Sequence, residues 1–206
     1  MSRALKMSTS LPDLTDGGPP EPVGSSVVQV LPSGPAFAVD AIEQILLTAV
    51  YSARHELIIT SPYFVPSESL TLALASAAQR GVVVTVIVPA RVDSKLVRFA
   101  SRALRDQLIS AGVRLIFFHE GLLHTKSLTI DGTTSLFGTL NMDPRSLRLN
   151  FEITLAIFDP TFTSQLRALQ QRYIAHGREL NMQQWQNRGL HMRILENLAK
   201  LLSPLL

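Results

Sequence analysis

One run of residues, Val82–Val88, is almost entirely apolar and β-branched, and it limits the folds that the chain can adopt. A strand of this composition needs an apolar neighbour on each of its faces, as the strands of α/β proteins have. Ser67 is a suitable N-cap and Gly81 a suitable end for a helix before the run. Residues 94–111 predict a helix after it, which stops at Gly112. The run is therefore predicted to be a strand between two helices.

The same alternation extends from residue 26 to residue 118. Short apolar runs predict strands, and apolar residues at helical spacing predict helices. The strands are expected at 26–31, 56–60, 82–88 and 113–118, and the helices at 37–53, 67–81 and 94–111. Alternating strands and helices are typical of an α/β sandwich, in which helices flank a central, largely parallel sheet. A hairpin further along the chain adds antiparallel strands, so the sheet is expected to be mixed.

Composition divides the chain into three parts. Residues 1–24 are rich in Ser, Pro, Gly, Asp and Thr without an apolar period, which predicts a disordered leader or the remnant of a linker. Residues 25–178 hold the predicted domain, including a strand at 152–158 and a helix capped by Asp159. Residues 179–206 are predicted to be a C-terminal helical tail. Its apolar and basic residues suit either packing on the core or binding at a membrane surface.

The residues best suited to catalysis lie between His124 and Asn141. Strand alternation places His124 and Lys126 on one face of a predicted strand, and Asp131 follows at a tight-turn signal. The chain can then return as a second strand, which ends just before Asn141. Such a hairpin brings an imidazole, an ammonium and an amide to one end, and places Asp131 at its turn.

An imidazole, an ammonium and an amide together suit attack on phosphorus. Imidazole is a nucleophile or a proton carrier near neutral pH. A lysine and an asparagine can hold the phosphoryl oxygens as negative charge builds on them. A single histidine on a strand is most often a packed or surface residue, so the prediction depends on the spacing of the whole set.

That spacing, His-x-Lys-x4-Asp-x6-Gly-Thr-x-Asn, resembles the HKD signature of the phospholipase D superfamily. The three named positions of the signature are filled by His124, Lys126 and Asp131, and its second half by Gly138, Thr139 and Asn141. The resemblance implies the α/β sandwich of that superfamily and chemistry on a phosphodiester.

Further stretches resemble the C-terminal half of bacterial cardiolipin synthases, which carry two HKD motifs. They include Pro-Tyr-Phe-Val-Pro at 62–66 and Leu-Asn-Phe-Glu at 149–152, which generic HKD nucleases lack. The likeness covers roughly residues 26–206. It implies a phosphatidyl transferase that converts two phosphatidylglycerol molecules into cardiolipin and glycerol through a phosphohistidine.

The resemblance implies a role for each matching residue. His124 is expected to be the nucleophile that forms the phosphohistidine, or the acid and base partner of that nucleophile. Lys126 and Asn141 are expected to hold non-bridging phosphate oxygens, with the hydroxyl of Thr139 nearby.

Three further residues have expected roles. Glu152 matches an acidic residue that hydrogen-bonds the nucleophilic imidazole and fixes its tautomer. Asp131 belongs to the catalytic signature, although an aspartate at a turn more often shapes the hairpin through local hydrogen bonds. Arg145 is a candidate contact for a second phosphate.

The chain has one HKD motif, whereas cardiolipin synthases have two behind N-terminal membrane helices. None of the other four histidines is followed by lysine two residues later. One group must attack phosphorus while another protonates the leaving oxygen, so a second half-site is expected. It is expected to come from a missing N-terminal half or from a second copy of the chain.

Two other functions remain open. One is a homodimeric phosphodiesterase that acts on nucleic acid, and the other is a catalytically silent, truncated fragment. Nucleic acid is the less expected partner, because lysines and arginines are scattered and form no basic stripe with interleaved aromatic residues.

Composition restricts cofactors and location. The 206 residues include no cysteine, so disulfides and thiolate metal sites are excluded, and with scattered histidines no metal or other cofactor is expected. No apolar run reaches the ~18 residues that cross a bilayer. Together with the resemblance, this predicts a peripheral protein of the bacterial inner membrane, with phosphatidylglycerol and the membrane surface as partners.

Overall fold

The first half of the chain alternates between strands and helices. The computed structural model describes residues 24–38, 40–91 and 106–180. In chain order its elements are β1 (Val27–Ser33), α1 (Ala41–Ser52), β2 (Glu56–Thr60), α2 (Glu68–Gln79), β3 (Val83–Pro89), a helical stretch at 106–110 (α3), β4 (Arg114–Phe118), β5 (Ser127–Ile130), β6 (Thr134–Gly138), α4 (Pro144–Arg148), β7 (Glu152–Phe158), α5 (Pro160–Ala175) and β8 (Gly177–Glu179).

The eight described strands form one sheet in the order β1-β7-β6-β5-β2-β3-β4-β8. Among them, β2, β3 and β4 are parallel neighbours, and the other pairs are antiparallel. The expected α/β sandwich with a mixed sheet is confirmed, but the expectation of a largely parallel sheet is wrong. The reason is that β5, β6 and β7 insert between β1 and β2, so that β1 pairs with β7.

Helices cover the two faces of the sheet. On one face, α1 and α2 pack through Leu46 and Leu74 against strand residues such as Val86. On the other face, Tyr173 and Ile174 of α5 pack against a smaller cluster, which consists of Ile58, Ile87, Ile116, Phe118 and Leu123. Each fully buried Leu, Ile or Val contributes about 1.5–3 kcal/mol. The central strands are therefore covered on both sides, as their composition predicts.

A buried glutamine ties α5 to the strands under the site described below. The Gln170 side chain is fully buried, and its Oε1 accepts a hydrogen bond from the Thr129 hydroxyl at 2.6 Å. Its Nε2 donates to Ile58 O and to Ser127 Oγ, both at 3.2 Å. A buried amide satisfied in this way fixes the position of β5 relative to β2.

The chain continues as a strand after α5. Sequence patterns predict that this helix ends at Gly177, and α5 does end just before it, at Ala175. Gly177 also pairs with Phe118 and opens β8, which the sequence does not predict. A Cβ at this position would lie 2.3 Å from Ile116 Cγ2, so the close approach requires glycine. Leu180 N then donates to Leu115 O at 2.9 Å. The boundary expected after residue 178 thus falls within β8. The predicted leader, most of the helix at 94–111 and the predicted tail helix lie outside the described residues.

Candidate active site

The predicted functional residues come to one edge of the sheet, with the exception of Asp131. Lys126 precedes β5, Thr139 and Asn141 follow β6, and Glu152 begins β7. Because β5, β6 and β7 are antiparallel neighbours, the start of β5, the end of β6 and the start of β7 meet at the same edge. The hairpin therefore brings together the imidazole, the ammonium and the amide, as the sequence predicts.

Gly138 allows β6 and β7 to approach closely beneath these side chains. A Cβ here would lie 2.1 Å from Ile153 O and 2.9 Å from Thr154 Cα, far inside normal contact distances. Gly138 N donates to Lys126 O at 3.2 Å, and Thr139 N donates to Ile153 O at 3.0 Å. This packing sets the spacing between Lys126 and Thr139.

His124 and Lys126 are in direct contact. Lys126 Nζ lies 3.1 Å from His124 Nδ1 and 3.2 Å from His124 Nε2, and it donates to His124 O at 2.8 Å. Whichever ring nitrogen carries no proton can accept a hydrogen bond from the ammonium. The imidazole itself is exposed. It is therefore open to a substrate while a positive charge stays beside it.

The Lys126 ammonium lies in an acidic setting. Partial burial lowers the pKa of Lys126 below its ordinary value, and the negative charges of Glu152 and Asp143 oppose that shift. Burial likewise raises the pKa of Asp143, which the charge of Glu152 raises further, against hydrogen bonds from Ser146 and Arg145 that lower it. The ammonium is thus weakly hydrated, and a phosphate oxygen beside it would meet a strong donor.

Thr139 and Asn141 keep donors available at this edge. Thr139 Oγ1 accepts from Ile153 N at 3.0 Å, so its own proton can be donated elsewhere. Asn141 Nδ2 donates one proton to Ser146 Oγ at 3.2 Å, and its second proton is not used in that bond. Asn141 Oδ1 is buried and has no hydrogen-bond partner among the described residues. Both side chains can therefore bind a phosphate.

Glu152 is held by Asn150, which in turn contacts Arg145. Asn150 Nδ2 donates to Glu152 Oε1 at 3.1 Å, and Arg145 Nε donates to Asn150 Oδ1 at 3.4 Å. The expected hydrogen bond from the His124 imidazole to Glu152 is not among the contacts of Glu152 in the described part of the chain, and the charge of Glu152 acts on Lys126 instead. Arg145 is exposed at the same edge and is therefore accessible to a phosphate. Its role in phosphate binding stays a prediction.

Asp131 lies at the other end of β5. Five residues of extended chain separate it from Lys126, a distance of about 17 Å. Its carboxylate accepts from the backbone N–H groups of Arg54, His55 and Glu56 at 2.8–2.9 Å. Burial raises the pKa of Asp131, but these three donors outweigh it, so that the pKa lies below its ordinary value. The structure therefore does not bring Asp131 to the site, and its contacts are those of a structural residue.

Sequence reasoning missed several residues that shape the site. Asp143 caps α4 by accepting from Ser146 N at 2.9 Å, and Ser146 then holds Asn141. Ser61 Oγ accepts from Met142 N at 3.1 Å and ties the β2 end to the same loop. Asp143 precedes a proline, and that signal of a helix start could have revealed α4. Ser61 had no comparable signal in the sequence.

The group can act on a phosphodiester. An exposed imidazole can attack phosphorus or move a proton, and Lys126, Thr139 and Asn141 supply donors for the phosphoryl oxygens. Within the ranges that the structure describes, no three His, Asp or Glu side chains come together as metal ligands. In the same ranges, no helix is long and apolar enough to cross a bilayer.

The same fold occurs in solved structures of other proteins. The crystal structure of a phospholipase D family member, Nuc from Salmonella typhimurium, has a TM-score of 0.65 at 22% identity, covering 76% of this chain and 99% of Nuc. Phosphatidylserine synthase from Haemophilus influenzae Rd KW20 has a TM-score of 0.64 at 19% identity, covering 88% of this chain and 48% of that one. At these identities the likeness establishes the fold, which is that of the phospholipase D class.

Comparison with family models is more specific. The family described as cardiolipin synthase, PLD-like domain, matches residues 46–174. The chain belongs to this family, and the resemblance seen in its motifs is thereby confirmed.

Curated relatives are longer than this chain. Cardiolipin synthase A of Pectobacterium carotovorum subsp. carotovorum is 54% identical over 188 residues, which cover 91% of this chain and 39% of that protein. Cardiolipin synthase A of Escherichia coli O1:K1 is 51% identical over the same length and with the same coverage. The chain thus spans about two fifths of the length of the relatives that it matches.

Proposed function

We propose that this chain supplies one half-site of a phospholipase D-type phosphatidyl transferase of the cardiolipin synthase kind. The reaction joins two phosphatidylglycerol molecules into cardiolipin and releases glycerol. The observation that carries the proposal is the exposed His124 imidazole, which lies within 3.2 Å of Lys126 Nζ at the edge that also holds Thr139 and Asn141. The 54% identity with a cardiolipin synthase A supports the choice of reaction.

The first step transfers the phosphatidyl group to the enzyme. An imidazole nitrogen forms a bond to the phosphorus of one phosphatidylglycerol, and the bond from phosphorus to the glycerol oxygen breaks. A second imidazole gives its proton to the departing oxygen. His124 supplies one of these two imidazoles. Lys126 stabilises the charge that develops on the non-bridging oxygens, together with the Thr139 hydroxyl and the Asn141 amide.

The second step makes cardiolipin. A glycerol hydroxyl of another phosphatidylglycerol attacks the phosphorus, and its proton passes to the imidazole that acted as the acid. The bond from phosphorus to the histidine nitrogen then breaks. Every atom of the two lipids is thereby recovered in cardiolipin and glycerol.

A second half-site of the same fold is required, because one imidazole cannot attack phosphorus and protonate the oxygen on the opposite side. The chain covers 48% of phosphatidylserine synthase and 39% of cardiolipin synthase A, which is compatible with a partner half in a longer chain. It also covers 99% of Nuc, so a chain of little more than this fold exists by itself. That match supports the alternative arrangement, in which two identical chains each supply one half-site.

One face of the sheet is suited to such a partner. Cross-strand neighbours share a face, so Val30, Leu155 and Phe137 lie on the side of the sheet that α5 covers elsewhere. Val30 is 58% exposed and Ile153 52% exposed, and neither is covered by α5. We call Val28, Val30, Phe137 and Ile153 the uncovered face. A half-site of the same fold would bury these apolar side chains.

The membrane is the expected source of the substrate. Both phosphatidylglycerol molecules and the product are lipids, so the site must work at a bilayer surface. Peripheral association with the bacterial inner membrane is therefore part of the proposal.

The test of the proposal is a lipid-transfer assay. Phosphatidylglycerol vesicles or mixed micelles are incubated with the chain, either with a matching N-terminal half or at concentrations that favour a dimer, and cardiolipin and glycerol are measured. His124→Asn should lower turnover by at least three orders of magnitude, because the covalent or acid–base step is lost. Lys126→Ala should also lower turnover strongly.

A matched control is His119→Asn, which changes an exposed histidine five positions before His124. It should leave turnover near the wild-type value. Near-normal transfer by His124→Asn would disprove the proposed role of His124. Nicking of plasmid DNA without any lipid transfer would instead favour the homodimeric phosphodiesterase.

Metal independence is tested in the same assay. The mechanism assigns all charge stabilisation to protein groups, so a chelator should leave turnover unchanged. Loss of turnover with a chelator, restored by one divalent ion, would contradict that part of the mechanism.

A further inference from the structure

The His124 imidazole lies in a stretch that precedes the regular strand. β5 begins at Ser127, so His124 lies three residues before the first paired position of the hairpin. A backbone bond of 3.2 Å from Gly138 N reaches back to Lys126 O, which is still two residues from His124. The side-chain contacts of its neighbours therefore decide where His124 lies.

Both chain neighbours of His124 contact the layer of α5. Leu123 is 2% exposed and belongs to the smaller apolar cluster, on which α5 packs. The Thr125 hydroxyl lies 3.2 Å from the hydroxyl of Tyr173, and either oxygen can be the donor. Because alternate residues of an extended segment point to opposite sides, these two contacts place the imidazole on the side away from α5.

Tyr173 is itself held in place. Its ring packs against the smaller cluster and meets Phe118 edge to face, with the ring centroids 5.1 Å apart. Three residues earlier on α5, Gln170 is fully buried and donates to Ser127 Oγ at 3.2 Å. Residues three apart share a helix face, so one face of α5 holds both Thr125 and Ser127. The Tyr173 hydroxyl is therefore a fixed point next to the imidazole-bearing residue.

A reacting group needs a well-defined position. A displacement of about 1 Å can lower a rate by about two orders of magnitude. Lys126 and Thr139 are held by the hydrogen bonds between β5, β6 and β7, but the place of the imidazole relative to them depends on the backbone at His124. A hydrogen bond one residue away restricts that backbone without touching the substrate.

We propose that Tyr173 is a positioning residue for His124 and acts through its hydrogen bond to Thr125. The inference rests on the proposed function, because it assumes that the His124 imidazole reacts at phosphorus. Tyr173 restricts the imidazole, whereas the phosphate is bound by Lys126 and Asn141. Loss of the bond between the two hydroxyls should therefore lower kcat and leave KM unchanged.

The test is a double-mutant cycle in the lipid-transfer assay. Tyr173→Phe removes only the hydroxyl and keeps the ring against Phe118, and Thr125→Val removes the other partner. Each change should lower kcat about five-fold with KM unchanged, as the loss of one hydrogen bond implies. The double variant should match the single variants within about a factor of two, because both changes break the same bond.

Two control variants accompany the cycle. Tyr51→Phe makes the same chemical change at a tyrosine of α1 that is 54% exposed, and it should leave kcat unchanged. Thr125→Ser keeps the hydroxyl and should retain most of the wild-type kcat.

A second measurement does not depend on turnover. In NMR of the full chain with labelled histidine, the ring signal of His124 is identified by its absence in His124→Asn. Tyr173→Phe and Thr125→Val should shift this signal, whereas Tyr51→Phe should leave it in place. An unchanged signal in Tyr173→Phe would overturn the inference.

The outcomes separate this inference from the proposed function. If the wild type transfers no lipid, the proposed function is wrong, and the His124 signal alone decides whether Tyr173 positions the imidazole. If the wild type is active, an unchanged kcat in Tyr173→Phe, or a rise in KM alone, overturns the inference and leaves the proposed function intact. A double variant whose loss is the product of the two single losses would show that Tyr173 and Thr125 act independently, which would also overturn it.

Discussion

Asp131 holds the start of β2 against the turn of the hairpin. Its carboxylate accepts from three consecutive backbone N–H groups, at residues 54–56, that would otherwise lack partners at the beginning of a strand. Asp131 also has φ 49°, a conformation that aspartate and asparagine tolerate better than most residues. The aspartate of the HKD signature thus sets the register between β2 and β5, and the site at the other end of β5 depends on it indirectly.

Replacement of Asp131 should lower stability and leave phosphate binding intact. Asp131→Ala removes all three hydrogen bonds and should cost about 1–2 kcal/mol of unfolding free energy, a value reduced because the carboxylate is partly exposed. Asp131→Asn keeps one acceptor oxygen and should cost less. Urea unfolding measures the loss of stability. Binding of inorganic phosphate, followed through the Lys126 amide, should remain unchanged in both variants, and its loss would place Asp131 in the catalytic group.

The same residue gives a pH dependence with a definite sign. The folded pKa of Asp131 is lower than its value in the unfolded chain, so the ionised carboxylate stabilises the fold at pH values above that unfolded value, about 3.9. This stabilisation is lost as the pH falls below 3.9 through the lower, folded pKa. The stability difference between the wild type and Asp131→Asn should therefore be constant near neutral pH and disappear in acid.

For single residues, the sequence predicts those contacts of the site that join neighbours along one strand. His124 and Lys126 can be paired from the sequence because residues two apart in a strand share a face. The separation of Asp131 from His124 also follows from the sequence, because the two residues lie at opposite ends of one strand. The position of Glu152 beside Lys126 does not follow, because it depends on the pairing of β7 with β6.

At the scale of elements, the junction of β6 and β7 is the most sensitive point of the site. Gly138→Ala would place a methyl group 2.1 Å from Ile153 O, so the two strands would have to separate where Thr139 and Glu152 begin. We expect a cost of about 3 kcal/mol or more in urea unfolding. Gly24→Ala, where nothing lies within 4 Å of the added methyl group, is the control and should have little effect. Equal stabilities for the two variants would contradict the close approach.

Elements with a clear sequence pattern were predictable, whereas two short ones, α4 and β8, were not. Helices α1, α2 and α5 and the strands β2 and β7 match their predictions closely, because each has a clear apolar period or cap. Helix α4 has five residues, too few to show a helical period, although Asp143 and Pro144 marked its start. Strand β8 has three residues and owes its conformation to β4, so nothing in its own sequence identifies it.

At the scale of the whole molecule, turnover should require two half-sites. If identical chains pair, mixing the wild type with an excess of His124→Asn chains should lower activity more than dilution does, because mixed dimers contain one imidazole. Light scattering gives the mass of the active species. A strictly monomeric chain with full transferase activity would show that a second half-site is not needed.

The uncovered face provides a second measurement of the same pairing. Val30→Asp introduces a charge on that face, whereas Val27→Asp introduces the same charge on the opposite face of the same strand, at a similarly exposed position. We expect Val30→Asp to weaken pairing and transfer and Val27→Asp to have a smaller effect. Equal effects of the two variants would exclude this face as the contact surface.

The pairing of β1 with β7 has a consequence for synthesis on the ribosome. β1 is the first of the eight described strands, yet its neighbour is β7, the seventh, and between them lie α1, α2 and most of the sheet. Closing so large a loop has a high entropic cost and slows folding. Until β7 has been synthesised, the apolar side chains of β1 have no strand to pair with, and they can associate with other exposed apolar segments. The edge of the sheet that carries Glu152 can therefore form only after nearly the whole domain has left the ribosome.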